Sequence, residues 1–259
     1  MRRGTAVAGL IAAVCTTAAV AQRDPLATRG GWEVGLQGST YEYEEPDFAL
    51  LEGDRFGVTG SYTFLGPDHI HSRIEARYSY GELDYTGSGT LREVPDHILE
   101  LRAIVGRDYR AGRFAWVPYA GLGYRHLYND LRGVTSTGQF GYRRKSSYYY
   151  LPLGVTLRLP IGADWVFAPQ IEYDAFANGR QRSYLGDTAL GFNDVTNRQA
   201  RGRGARGQLA FEGASWSFSL WSHYWKIKDS DVQAVGLGLA GLEPANVTRE
   251  TGVELRYRF

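Results

Sequence analysis

Apolar and polar side chains alternate with a period of two along most of the chain, as they do in strands with one apolar face. The first such stretch sets Trp32, Val34 and Leu36 against Glu33, Gly35, Gln37 and Ser39. The second sets Phe56, Val58, Tyr62 and Phe64 against Arg55, Gly57, Thr59, Ser61 and Thr63. Similar stretches recur near 70–80, 99–106, 116–128, 149–158, 165–174, 204–212 and 216–224. A last one places Val253, Leu255, Tyr257 and Phe259 opposite Glu254, Arg256 and Arg258. The pattern predicts ten strands, and an even number suits a closed antiparallel sheet.

The connections alternate in length. Long ones are expected near 44–54, 81–97, 129–147, 177–203 and 228–247. Short ones fall at Leu65 to His69, about 108–114, Pro160 to Asp164 and Gly213 to Ser215. Short turns on one rim and long loops on the other are the habit of transmembrane barrels.

Alternation alone does not say which face is outside, because a soluble barrel turns its apolar face inward. Charge decides for the inverted arrangement. The polar face carries Arg73, Glu75, Arg77, Glu100, Arg102 and Arg125 in the first half of the chain. Glu172, Arg206, Glu254 and Arg256 follow in the second. Near-balanced signs suit a closed interior in which ions must pair, and long side chains are expected to plug a ten-strand lumen. On the apolar face aromatics gather at strand ends, with Trp32, Phe64, Trp165, Trp216 and Phe259 toward the short turns. Tyr80, Tyr124, Tyr149, Tyr173 and Tyr224 lie toward the other end. Two such belts suit rings that bridge headgroups and hydrocarbon. The fold expected is all-β, a closed antiparallel transmembrane β-barrel.

The N-terminus sets the compartment. Arg2 and Arg3 precede a run from Thr5 to Val20 almost free of polar side chains, and Ala19-Val20-Ala21 supplies a small-x-small cleavage pattern. Residues 1–21 read as a cleaved signal peptide and 22–259 as one barrel domain. Lipoprotein processing at Cys15 is the competing reading, and Val14 beside the cysteine fits it poorly. Cys15 is the sole cysteine, so a mature chain holds no disulfide. Losing Arg2 and Arg3 takes the 29 basic residues to one fewer than the 28 acidic ones, a balance that argues against nucleic acid as a partner. After Gln22 no apolar run is long enough for a transmembrane helix.

The final strand, ending on Phe259 with Val253, Leu255 and Tyr257 at alternate positions before it, resembles the C-terminal signal of bacterial outer-membrane β-barrel proteins. Pro118-Tyr119-Ala120-Gly121-Leu122-Gly123-Tyr124 and Leu151-Pro152-Leu153-Gly154-Val155 resemble strand motifs of the small members of that family. The resemblance implies a Gram-negative outer membrane and recognition of Val253, Leu255, Tyr257 and Phe259 by the barrel-assembly machinery.

Candidate chemistry is sparse. The strand count is similar to that of omptin proteases, which carry an Asp pair facing an Asp–His pair at the outer mouth, but no Asp-x-His motif is evident. Glu82 with Asp84, His126 with Asp130, and His223 with Asp229 and Asp231 are the nearest pieces. Lipid A deacylases and outer-membrane phospholipases need a Ser–His arrangement on the lipid-facing surface. Ser222-His223 cannot supply it, because neighbours in a strand point to opposite faces. Five histidines without cysteines show no metal-ligand spacing, and no cofactor is expected. Arg143, Arg144 and Lys145 precede the sixth strand on the long-loop side, where lipopolysaccharide phosphates are expected as partners. A second basic cluster, Arg198, Arg201, Arg203 and Arg206, leads into the eighth strand.

The functional expectation is a structural or interaction protein that displays its loops to an extracellular ligand, without enzymatic activity. A narrow porin-like solute channel is the alternative, and a rim-sited omptin-like hydrolase the third reading.

Overall fold

The computed structural model describes residues 24–162 and 164–259. The expected signal peptide, residues 1–21, lies outside the described residues. The strands are β1 (Gly31–Glu45), β2 (Ala49–Leu65), β3 (Ile70–Gly87), β4 (Gly89–Arg107), β5 (Tyr109–Ala111), β6 (Phe114–Val134) and β7 (Phe140–Ile161). There follow β8 (Trp165–Ser183), β9 (Val195–Gln199), β10 (Gly202–Glu212), β11 (Trp216–Ile227), β12 (Gln233–Gly236), β13 (Leu239–Gly241) and β14 (Asn246–Arg258). Ten of them form the barrel wall in the order β1-β2-β3-β4-β6-β7-β8-β10-β11-β14. The sheet closes where β14 pairs antiparallel with β1, from Glu33↔Arg258 to Glu44↔Val247. Closure gives every strand two neighbours, so the wall has no free edge to satisfy inside hydrocarbon. Strand β5 pairs with β6, β9 pairs antiparallel with the upper end of β8, and β12 and β13 form a separate hairpin.

In the lower part of the barrel the apolar stripe faces out. Leu36, Leu153 and Leu255 are 68%, 50% and 47% exposed, while Glu100 and Glu254 on the other face are buried. Outward aromatics meet edge to face across strands at the short-turn end, Trp32 with Tyr62 at 4.9 Å and Trp216 with Tyr257 at 4.8 Å between ring centroids.

Higher up, the polarity inverts. Beyond about residue 40 the outward positions of β1 are Glu42 and Glu44, and the inward ones are Tyr41 and Tyr43. On β3 the inward residue is Leu83, fully buried between the outward Glu82 and Asp84. Leu51, Val94, Leu127, Leu131 and Ile227 join the same interior cluster. The strands therefore run on past the membrane and build a small water-facing barrel whose apolar side is inside.

This extension corrects the expected loops. The first, third and fifth turns at this rim reduce to residues 46–48, 135–139 and the segment around the β12–β13 hairpin. The second is a single residue, Ser88, between the paired Gly87 and Gly89; Gly89 takes φ +124°, a conformation that disfavours a side chain. Outward-apolar alternation stops where lipid stops, so its loss resembles a loop in the sequence although strand pairing continues.

Candidate functional site

The interior is built in layers from the short-turn end upward. At the bottom, residues 24–30 fold back into the barrel. Leu26 is buried among the small inward residues Ala115, Val166, Ala168 and Ala210. Thr28 donates its backbone N–H and its hydroxyl to the Asp108 carboxylate, both at 2.6 Å. Arg29 donates to the carbonyls of Gly213 and Ala214 at 2.7 and 3.0 Å.

The middle layer is a ladder of ion pairs. Glu33 accepts from Arg73 at 3.2 Å and also from Arg258. Arg73 reaches Glu75 at 3.1 Å, and Glu75 reaches Arg102 at 3.1 Å. Arg102 then meets Glu172. Arg206 is the hub: its Nε lies 2.7 Å from Asp174 and 3.0 Å from Glu172, and its Nη1 donates to Glu100 at 3.0 Å. Arg77 pairs with Glu250 and approaches Glu100 at 3.8 Å, and Arg256 pairs with Glu254 at 2.8 Å. Nine of the ten lumen residues read from the sequence thus meet an opposite charge. Arg125 does not: among the described residues its Nε and Nη2 have no hydrogen-bond partner, and its guanidinium sits 5.6 Å from the Trp225 ring. A cavity of 170 Å3 remains beside the ladder, roomy and polar enough to hold water.

Above the ladder, Trp225 and Tyr150 fill the section with ring centroids 5.0 Å apart. Gly123 and Gly204 make this possible. A Cβ on the first would meet Tyr150 Cζ at 2.1 Å, and one on the second Trp225 at 2.9 Å. Arg55 and Asp96 form a fully buried pair in this layer. At the top, Arg144 points into the barrel and pairs with Glu45 and Glu243. Burial pushes Glu243 up to about 8, against the pull of Arg144. Burial also raises Glu45, but there Arg144 wins and holds it below the usual carboxylate range.

The basic run ahead of Tyr148 is therefore split between faces, which corrects its expected role as one lipid-facing cluster. Arg144 is an interior residue. Arg143 faces out and is held by Asp187 at 2.7 Å, and Lys145 lies 5.4 Å from the rings of Tyr128 and Tyr184. The four positions expected to form an assembly signal, Val253, Leu255, Tyr257 and Phe259, share the outer face, with Phe259 74% exposed. Sequence reasoning did not single out Glu33, Arg55, Asp96, Asp174 or Glu250 for the interior. Their inward parity is the signal that marks them.

The rim histidines and carboxylates do not come together. His223 points inward, 2.8 Å from an Arg77 nitrogen. Asp229 and Asp231 accept backbone N–H groups of Ala245 and Arg198, both at 2.6 Å, and Asp130 is taken by Arg132. His126 faces out, with its Nδ1 2.9 Å from Ser147 Oγ. Among the described residues no group of three or more His, Cys, Asp or Glu is arranged to hold a metal ion.

The comparisons with known proteins agree with the barrel. The family described as outer membrane protein beta-barrel domain matches residues 6–201. No curated protein sequence matches the chain. Among solved structures, the outer membrane protease OmpT from Escherichia coli shares the fold with a TM-score of 0.55, at 10% identity over 91% of this chain and 100% of that one. OprG from Pseudomonas aeruginosa aligns over 91% of this chain and 100% of its own, at 10% identity and a TM-score of 0.41. With three quarters of its length inside the family match and a closed, lipid-facing ten-strand wall, the chain belongs to the outer membrane protein β-barrel domain family.

Proposed function

We propose that this outer-membrane barrel conducts no solute and works as a rigid platform, presenting its long hairpins to an extracellular ligand. The closed lumen carries the reading: Leu26 seats in the periplasmic end, the ion pairs of Arg206 cross the middle, and Trp225 with Tyr150 fills the section above. The presented surface is apolar at its tips, where Phe48, Leu190, Val232 and Leu237 are 54–68% exposed. Exposed apolar groups on a rigid support favour binding over solubility. The outward position of Lys145, near the Tyr128 and Tyr184 rings, supports contact with lipopolysaccharide phosphates, and the outward Phe259 stripe supports recognition by the barrel-assembly machinery.

A narrow solute channel is the second reading, and the 170 Å3 cavity is the observation in its favour. Planar-bilayer recording on the folded protein separates the two. The platform reading expects no steady conductance at neutral pH, and a large stable open state overturns it.

A further inference from the structure

Three outward residues stand in one row across β6, β7 and β8. His126 is the register partner of Ser147, and Ser147 is the register partner of Arg180. The first two are joined by the 2.9 Å contact between His126 Nδ1 and Ser147 Oγ, and the Tyr124 hydroxyl lies 3.3 Å from the same Oγ. Arg180 is exposed, and among the described residues the ion pair on this strand end belongs to Arg182 with Asp194 instead. A hydroxyl bonded to an imidazole, with an exposed arginine as its register partner on the neighbouring strand, has the parts of a nucleophilic acyl-transfer site.

The height of the row specifies the substrate. On β6 the lower belt is Trp116, 39% exposed, and His126 stands ten residues above it. Ten residues at about 3.3 Å each, tilted by about 40°, rise roughly 25 Å, the thickness of the apolar band. Tyr124 and Tyr149, ring centroids 5.1 Å apart, form the upper belt one rung below the row. Ser147 thus lies where the ester carbonyls of outer-leaflet lipids meet their headgroups. Lys145 is one rung higher, at the level of lipid phosphates.

We propose that Ser147, His126 and Arg180 form an acyl-ester hydrolase site on the lipid-facing wall, acting on fatty-acyl esters of outer-leaflet lipid. Ser147 Oγ attacks the ester carbonyl carbon as its proton passes to His126 Nδ1, and Arg180 donates to the oxyanion. Collapse breaks the ester C–O bond, and the leaving alkoxide takes the proton from His126. Water then attacks the acyl-serine, giving its proton to the same imidazole, which returns it to Ser147 Oγ. The products are a free fatty acid and an alcohol.

The test uses the folded full-length protein in detergent micelles, with p-nitrophenyl palmitate as substrate and a fluorophosphonate as covalent probe. Ser147→Ala and His126→Ala are expected to lose about a hundredfold or more of the hydrolysis rate. The probe is expected on Ser147 in the wild type and absent from Ser147→Ala. Arg180→Ala is expected to slow hydrolysis while Arg180→Lys recovers part of it. All these side chains face out, so heat-modifiability should show equal folded fractions. Wild-type hydrolysis no faster than Ser147→Ala, or labelling that persists in that variant, overturns the proposal. Either result leaves the conductance test untouched, because the row does not border the lumen.

Discussion

Replacing Arg206 with methionine is the sharpest probe of the interior. The side chain is 4% exposed and serves Glu100, Glu172 and Asp174 together, with the Tyr150 hydroxyl 2.8 Å from its Nη2. Methionine keeps much of the volume and removes the charge. Glu172 retains Arg102, and Glu100 retains Arg77 at 3.8 Å. Asp174 has no other cation among the described residues, and its Oδ1 is already without a hydrogen-bond partner. Breaking one buried pair while leaving its partner charged costs about 3–5 kcal/mol. A Coulomb estimate for unit charges near 4 Å at an effective dielectric of about 20 gives a similar 4 kcal/mol. With a urea slope of at most about 3 kcal/mol per molar, the unfolding midpoint in micelles should fall by roughly 1 M or more. Adding Asp174→Asn to Arg206→Met should recover part of that loss, since it removes the stranded charge. A drop under about 1 kcal/mol, or no recovery in the double variant, would refute the reasoning. It would mean that lumen water solvates these carboxylates as well as the guanidinium does.

Changing Phe259 to aspartate places a charge at the lower interface, a cost on the order of 0–1 kcal/mol. A large fall in the heat-modifiable folded fraction would then report lost recognition during assembly, and an unchanged fraction would show that the terminus is no signal. The Glu243 carboxyl, pushed up to about 8 when docked, favours its protonated form there. The contribution of Glu243 to docking of the 228–245 segment is therefore full below the ordinary carboxylate value of 4.5 and is lost as pH rises through about 8. Proteolytic nicking of this segment should quicken over that range, and Glu243→Gln should flatten the dependence; a pH-independent wild type would refute it.

The membrane-spanning part was legible because lipid imposes a rule on every second residue. Trp32, Leu36, Leu153 and Leu255 obey it, and the inward parity of Glu75, Glu100 and Arg206 follows without further information. The upper barrel was hidden for the same reason. Around Tyr41, Leu83 and Leu127 the apolar face changes side, and a reading tuned to apolar-out stretches ends the strands there. Arg144 was misplaced by adjacency: three consecutive basic residues look like one cluster, but a strand sends the middle one to the opposite face. The His126–Ser147 contact joins residues 21 apart in sequence. It depends on the β6–β7 register, which alternation constrains only to parity.

The seam between β1 and β14 pairs Glu33 with Arg258 across 225 positions. Because this joint needs β14 beside β1, the wall stays an open ribbon until those two strands pair. Every earlier stage carries two bare edges, which hydrocarbon punishes severely. A fully satisfied wall is therefore reached only when the β1–β14 pairing forms. The Leu26 segment, directly upstream of the first edge, must already lie on the inner side when the seam zips shut, or thread through a mouth crossed by Arg158 and Glu212. The architecture thereby makes a single long-range pairing the condition for a wall without bare edges.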